Sequence, residues 1–372
     1  MNMQNAVIER YSKGARTREE ELCCPVDYSP ELLRLLPQEI IDHDYGCGDP
    51  SQYVCEGDTV LDLGSGSGKI CYMAAQLTGN KGRVIGVDMN DEMLALARKY
   101  REEMAKKLGG DRVEFNKAYI QDLALDVEAM ERWLQANPVT DAKSLRALEE
   151  WKREQRINDP LIADDSVDLV ISNCVLNLVD DDQKRRMVEE IFRVLKPGGR
   201  IAISDIISDE PVPPGLKQDK QLWSGCISGA FTEQELPEVF LDAGFQGVCF
   251  NKWASGPWRV IDGIEFRSIT VTAFKGEGSE CMDRGHAVIY RGPFSYVRDD
   301  DGHEYPRGQR IAVCERTFSM LTEGPYREFF IGITPEQKRE PVPWCAPAGT
   351  LRPARETKSG VHTAESSGSC CC

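Results

Sequence analysis

Apolar residues over the first 275 positions fall into two alternating patterns: short continuous runs, and longer stretches in which they recur at helical spacing. VCEGDTVLDLGSGSGKICYMAAQLTG predicts a buried strand, a glycine-rich turn and a helix ending at Gly79. RVIGVDMNDEMLALARKYREEMAKKLG repeats strand then helix. RVEFNKAYIQDL supplies a third strand, VDLVISNCVLNL a fourth, and RIAISDII a fifth. The fifth follows the helix DQKRRMVEEIFRVLKPGG, whose Pro197-Gly198-Gly199 reads as a helix terminator and a turn. This alternation implies an α/β architecture, a parallel sheet with helices on both faces. FTEQELPEVFLDAGF opens with Thr232 and Glu235 in capping-box spacing, Gly244 fits its end, and VCFNKW and RSITVTAFK close the sheet.

Three further regions complete the expected organisation. A charged helical insertion, Val127 to Arg156, separates strands three and four and reads as a solvated excursion. Beyond Gly276, HAVIYRG, QRIAVCERTF and REFFIGI have strand composition between turn residues, predicting a small α/β or mostly β domain over 276–339. Pro, Ala, Gly and Ser dominate from Glu340 to SGSCCC, predicting a disordered, cysteine-containing tail over 340–372. Residues 1–54 form an N-terminal segment able to fold over a ligand as a lid, ahead of a main domain at 55–275.

Composition narrows the function. With 372 residues, 41% hydrophobic and 28% charged, the chain is expected to be a soluble globular protein with a sizeable core. A net charge of -16 repels phosphate backbones, so no nucleic-acid partner is expected. No apolar run approaches the roughly 18–20 residues that span a bilayer, and MNMQNAVIERYSKGARTREEEL lacks the apolar segment of a secretion signal. The expected location is cytoplasmic, away from the membrane. Fourteen cysteines then read as reduced thiols rather than a disulfide framework. CxxC pairs are absent, which makes structural zinc the weaker reading.

In LDLGSGSG, Gly64, Gly66 and Gly68 let the backbone turn sharply and approach a ligand closely. Asp88, at the end of the second strand, is placed to accept hydrogen bonds from ribose hydroxyls. A nicotinamide fingerprint would want glycine where Lys69 stands. The G-x-G-x-G form, with VDMN and VLKPGGRIAISD, resembles the class I S-adenosylmethionine-dependent methyltransferases over most of 55–275. The resemblance implies a Rossmann-like doubly wound sheet. It also implies that Asp62, Gly64, Ser65, Gly66 and Gly68 surround the methionine moiety, that Asp88 holds the ribose and that Met89 and Ile120 flank the adenine. Asn173 would face the methionine or the acceptor. Met89 and Ile120 also fit ordinary core packing.

Ligands of an open α/β sheet sit beyond the carboxyl ends of its strands, where Cys174 and Cys226 fall, with Cys47 upstream in the lid segment. None of the four histidines follows strands one to five at that edge. Thiolates select soft centres and need no general base. Trivalent arsenic fits, because three thiolates leave its lone pair free. YGCG, GSGSGKICY, GVDM, SNCVLNLV and LWSGC resemble the arsenite S-adenosylmethionine methyltransferases. That resemblance implies As(III) bound by Cys47, Cys174 and Cys226, and a cofactor contact from Tyr45. It implies a fourth cysteine, here Cys23 or Cys24, that forms a disulfide with Cys47 during turnover. It further implies thioredoxin or glutathione as reductant, arsenite and methylated arsenicals as substrates and products, a role in arsenic detoxification, and a monomer. Relatives commonly carry an acidic residue where this chain has Gly225. Cys71 lies outside the implied arsenic ligands and is expected to pack against the sheet. The residues also admit a methyltransferase for another small acceptor, or a metalloid-binding or redox-sensing protein on a degenerate methyltransferase fold.

Overall fold

The structure, a computed structural model, describes residues 3–19, 22, 26–278, 280–324, 326–344 and 347–358. Cys23, Cys24 and the three terminal cysteines, Cys370 to Cys372, lie outside the described residues. Two compact units divide the chain, one ending at Lys275 and one starting at Gly276.

The first unit is built on nine strands: β1 (Thr59–Leu63), β2 (Arg83–Asp88), β3 (Val113–Lys117), β4 (Val167–Asn173), β5 (Leu195–Ser208), β6 (Phe231–Thr232), β7 (Phe245–Trp253), β8 (Arg259–Ile261) and β9 (Ile264–Lys275). The main path runs β3-β2-β1-β4-β5-β9-β7. Strands β1 to β5 are parallel, whereas β9 runs antiparallel to β5 and to β7. Side chains alternate faces along each strand, so one face buries Leu61, Ile85, Val170 and Ile203 while the other buries Val60, Val84, Ile171 and Ala202. Helix α2 (Lys69–Leu77) covers the second face, and helix α7 (Lys184–Val194) supplies Met187, Val188 and Ile191 to the first. The expected doubly wound sheet is therefore present, and the closing strands are where the hydropathy pattern put them.

Other helices of this unit include α1 (Met3–Arg16), α3 (Asp91–Lys99), α4 (Arg101–Leu108), α5 (Val127–Ala136), α6 (Ala142–Asn158), α8 (Lys220–Ser224) and α9 (Glu235–Asp242). Ahead of α9, Thr232 and Glu235 exchange side-chain-to-backbone bonds at 2.9 and 3.1 Å, the reciprocal pair of a capping box. The insertion forms α5 and α6, joined by stacked Trp133 and Trp151. Helix α1 packs against α3 and α8, and Asn90 Nδ2 donates to the Ile8 carbonyl (2.9 Å) and to Ser12 Oγ (3.0 Å).

Two details differ from the expected elements. Pro197-Gly198-Gly199 lies inside β5 and does not form a separate turn. The pairing jumps from Val167 opposite Leu195 to Leu169 opposite Arg200, so the extra residues are absorbed as a bulge, with Gly198 at φ +77°. The third strand stops at Lys117, because the Asp122 N–H donates to the Tyr119 carbonyl and turns the chain.

In the second unit, β11 (Arg310–Ala312), β10 (Ala287–Tyr290) and β12 (Phe330–Ile333) form a three-stranded sheet beside a helix, Glu315–Thr322. Structure continues past the point where composition predicts a free tail. Val342–Pro343 pairs with Met282–Asp283, and buried Arg352 donates to Asp283 at 2.7 Å. Among the described residues no helix is long and apolar enough to cross a membrane.

Candidate active site

A cavity opens at the carboxyl ends of β1, β2 and β4. Tyr45, Asp62, Gly64, Ser65, Gly66, Asp88, Met89, Ile120 and Asn173 all line it, together with Val7, Ile8 and Tyr11 of α1. Gly64 is obligatory on two counts: its φ is +69°, and a Cβ would stand 2.5 Å from Val175 Cγ2. Gly68 does not line the cavity. Its Cβ position faces Phe115 at 2.8 Å, so this glycine permits close packing of α2 on the sheet.

The carboxylates of the cavity are fixed by short bonds. Asp88 Oδ2 accepts from the Gly66 N–H and Oδ1 from the Asn90 N–H, each at 2.8 Å, tying the glycine loop to the end of β2. Burial raises the Asp88 pKa. Asp62 is pushed up to about 7, mainly by burial, with the Cys71 thiol donating to its Oδ2 at 3.1 Å as an opposing influence. Burial, then the Asp62 charge, pushes the Cys71 thiol well up, so the helix terminus does not activate it. Ser65 Oγ is buried with no partner among the described residues. An orphan hydroxyl, a buried carboxylate and backbone cleared of Cβ atoms suit a zwitterionic ligand carrying an ammonium and a carboxylate.

The lid is anchored through side chains to which the sequence assigns no anchoring role. Lys69, 3% exposed, pairs with Asp44 and sits 3.4 Å over the Tyr28 ring. The Tyr45 hydroxyl donates to the Gly14 carbonyl (2.9 Å) and accepts from the Glu19 N–H (3.0 Å). Asn173 Oδ1 accepts from the backbone N–H of Cys47 (2.9 Å) and Gly48 (3.0 Å), and its Nδ2 donates to the Gly48 carbonyl (2.8 Å). Gly46 allows this approach, since a Cβ there would lie 2.0 Å from Asn173 Nδ2.

These bonds bring Cys47 to the end of β4. Cys47, Cys174 and Cys226, at 4, 5 and 4% exposure, share one buried cluster with Ile206, Ile227 and Phe266, and Cys174 also lines the cavity. Cys47 is disulfide-bonded to Cys174, with 5.8 Å between their Cα atoms. One expectation is thereby revised, since composition predicted only reduced thiols; the N-terminal partner that the family resemblance gives Cys47 during turnover, Cys23 or Cys24, lies outside the described residues. The cause is spatial: the lid loop lays Cys47 directly on the turn after β4. Cys226 Sγ donates to the Cys174 carbonyl at 2.8 Å and lies 3.9 Å from the Tyr11 hydroxyl. The Tyr11 pKa is raised by burial and then by Cys226. Cys174 and Cys226 both hold φ of +60°, a conformation rare for residues with a side chain and concentrated at functional sites.

Asp205, unassigned by the sequence reading although it ends the quoted ISD of β5, places a carboxylate oxygen among these sulfurs. The ligand atoms of Cys47, Cys174 and Asp205 all lie within 4.8 Å of one another. Burial pushes Asp205 up to about 7 against three bonds that lower it. At Gly225 a Cβ would stand 3.3 Å from Arg10 Nη1, and that guanidinium already donates to the Gln221 carbonyl and Ser224 Oγ.

Sheet order, glycine loop and cavity carboxylates together define a class I S-adenosylmethionine-dependent methyltransferase. A methyltransferase domain family matches residues 55–150 and 141–244, and a domain family of unknown function matches 277–362. The chain is 33% identical over 350 residues to the arsenite methyltransferase of Aquipseudomonas alcaligenes, covering 88% of this chain and 90% of that protein. It is 30% identical over 328 residues to the arsenite methyltransferase of Mus musculus, covering 85% and 77% respectively. The crystal structure of CrArsM, an arsenic(III) S-adenosylmethionine methyltransferase from Chlamydomonas reinhardtii, aligns at TM-score 0.56 and 28% identity, over 85% of this chain and 100% of that one. The chain belongs to the arsenite methyltransferase family.

Proposed function

We propose that the protein methylates trivalent arsenic held by Cys47, Cys174 and Cys226, and so detoxifies arsenic in the cytoplasm. One observation carries this reading: Cys174 lines the cofactor cavity and also belongs to the buried cluster that holds the other two cysteines.

Arsenic loading begins with reduction, because two of the three sulfurs are bonded to each other. A thiol reductant, thioredoxin or glutathione, converts the disulfide to two thiols. Arsenous acid then exchanges its three hydroxyls for three thiols and releases three waters, leaving arsenic with three As–S bonds and a lone pair. Bound S-adenosylmethionine supplies an electrophilic methyl group on a sulfonium. Asp62 and Ser65 would hold the amino-acid end of the cofactor, Gly64 and Gly66 would let it approach the loop closely, Asp88 would take the ribose, and Tyr45, Met89 and Ile120 would wall the rest. Asn173 fixes the lid, and through it Cys47, at the cavity edge. The lone pair of arsenic needs no general base, in keeping with a site whose nearest carboxylate is deeply buried.

Each methyl transfer uses that lone pair and leaves arsenic pentavalent. Return to the trivalent state takes two electrons, which two thiols supply by forming a disulfide. Cys47 with Cys23 or Cys24 is the proposed pair, and the reductant then resets it. Repeated cycles give mono-, di- and trimethylated products, and the protein acts as a monomer.

Arsenite, S-adenosylmethionine and glutathione are incubated with the protein and the arsenic species separated by chromatography. Wild type and Cys71→Ser should both yield methylated arsenicals, and Cys174→Ser should not. Wild-type rates from Cys174→Ser would overturn the site, and tight arsenite binding without cofactor consumption would point to sequestration.

A further inference from the structure

Beside the cysteine sulfurs lies a buried polar pair to which the scheme above gives no step. Asp205 and Asn177 are 1% and 0% exposed, and neither lines the cofactor cavity. We propose that Asp205 and Asn177 are a positioning pair that holds the Cys174 and Cys226 turns in register for three-sulfur arsenic binding. This inference rests on the arsenic reading of the site.

Hydrogen bonds make the case. Asp205 Oδ2 accepts from the Leu176 N–H at 2.9 Å, two residues beyond Cys174. Its Oδ1 accepts from Asn177 Nδ2 and from the Ile206 N–H, each at 2.8 Å. Asn177 Nδ2 also reaches the Ile206 carbonyl (2.6 Å) and the Cys226 carbonyl (3.3 Å), so one carboxylate and one amide link both turns. Gly229 closes the second turn onto the first, since a Cβ there would fall 2.0 Å from the Asn177 carbonyl oxygen.

Both cysteines need such support. Each sits at φ +60°, and strained backbone persists only where its surroundings over-determine it. The chemistry of the pair is also specific. Every group that meets the Asp205 carboxylate is a donor, so an amide at 205 sets its NH2 against one of them. Asn177 Oδ1 has no partner among the described residues, yet flipping the amide would aim that oxygen at the carboxylate. The carboxylate therefore dictates the amide's orientation.

A double-mutant cycle on the full-length reduced protein tests the pair: Asp205→Asn, Asn177→Ala and both together. Arsenite and S-adenosylmethionine affinities are measured by calorimetry, with thermal midpoints alongside. Each single variant should bind arsenite roughly tenfold or more weakly and S-adenosylmethionine within about twofold of wild type, and the double should be little worse than either single. A purely structural role would weaken both ligands together. Wild-type arsenite affinity in either variant, additive losses, parallel loss of both ligands, or failure of both singles to fold would overturn the inference. Wild-type protein that binds no arsenite would instead overturn the functional reading beneath it.

Discussion

Gly48→Ala is expected to raise the arsenite KM and leave the S-adenosylmethionine KM near its wild-type value. Gly48 follows Cys47 directly and does not line the cofactor cavity. The Cβ of an alanine would lie 2.4 Å from Ser204 Oγ and 2.5 Å from Ser204 Cβ, on a buried strand bonded to its neighbours on both sides. Overpacking of this kind costs about 1–3 kcal/mol. The lid loop is the softer partner, so the cost falls on the position of the Cys47 sulfur. At about 1.4 kcal/mol per tenfold, arsenite affinity should drop roughly five- to hundredfold. Ser204→Gly in the same chain removes both clashing atoms and should recover most of the affinity, while costing about 0.5–1 kcal/mol of global stability as a glycine within a strand and about 1–3 kcal/mol more because the buried Thr270 hydroxyl loses its 2.8 Å partner. Steady-state kinetics with each substrate varied in turn, plus thermal unfolding, separate the two effects. A single variant with wild-type arsenite KM, or a double variant no better than the single, would refute the reasoning.

Other expectations follow from the same contacts. Burial raises Asp62 to about 7, so its ionised form is disfavoured in the folded apo protein. Against an unfolded carboxylate near 4, this group subtracts stability as pH rises from about 4 through about 7. The cofactor's ammonium favours the ionised form, so its stabilisation of the thermal midpoint should be larger at about pH 8 than at about pH 6. Asp62→Asn should erase that difference, and an unchanged difference would exclude Asp62 as its source. Gly64→Ala meets both a positive φ and Val175, and its cofactor affinity should fall about tenfold or more in a direct titration. Gly225→Glu sets an acidic side chain at a buried position beside the half-buried Arg10, where the ion pair must offset the cost of burying the new carboxylate. Thermal unfolding in low and high salt should show a small, salt-sensitive gain, whereas a loss would mean that burial cost or the Gln221 carbonyl clash prevails.

The sheet was legible because its apolar runs were long enough to be buried on both faces and each was bounded by glycine or aspartate, as in VLDLGSG and VIGVDMN. Most residues lining the cavity were legible for the same reason, since a glycine loop and an acidic strand end are local in the chain. Gly68 shows the boundary of that argument: a motif glycine can serve helix packing as well as ligand approach. What escaped depends on residues distant in sequence. The Cys47–Cys174 bond spans 127 positions and follows from the way Asn173 docks the lid. Lys69, Asp205 and Asn177 stood inside the quoted motifs, yet their roles come from partners on other elements. The bulge around Gly198 was hidden because Pro-Gly-Gly ordinarily ends a helix with a turn, and here the neighbouring β4 pairs on either side of it.

The proposed chemistry requires arsenic to be held by three sulfurs at the edge of the cavity. X-ray absorption at the arsenic edge, on reduced protein loaded with one equivalent of arsenite, tests it directly. Three sulfur neighbours and no oxygen are expected for wild type, falling to two sulfurs and one oxygen in Cys226→Ser. A wild-type spectrum that retains oxygen neighbours, or is unchanged by Cys226→Ser, would contradict the account.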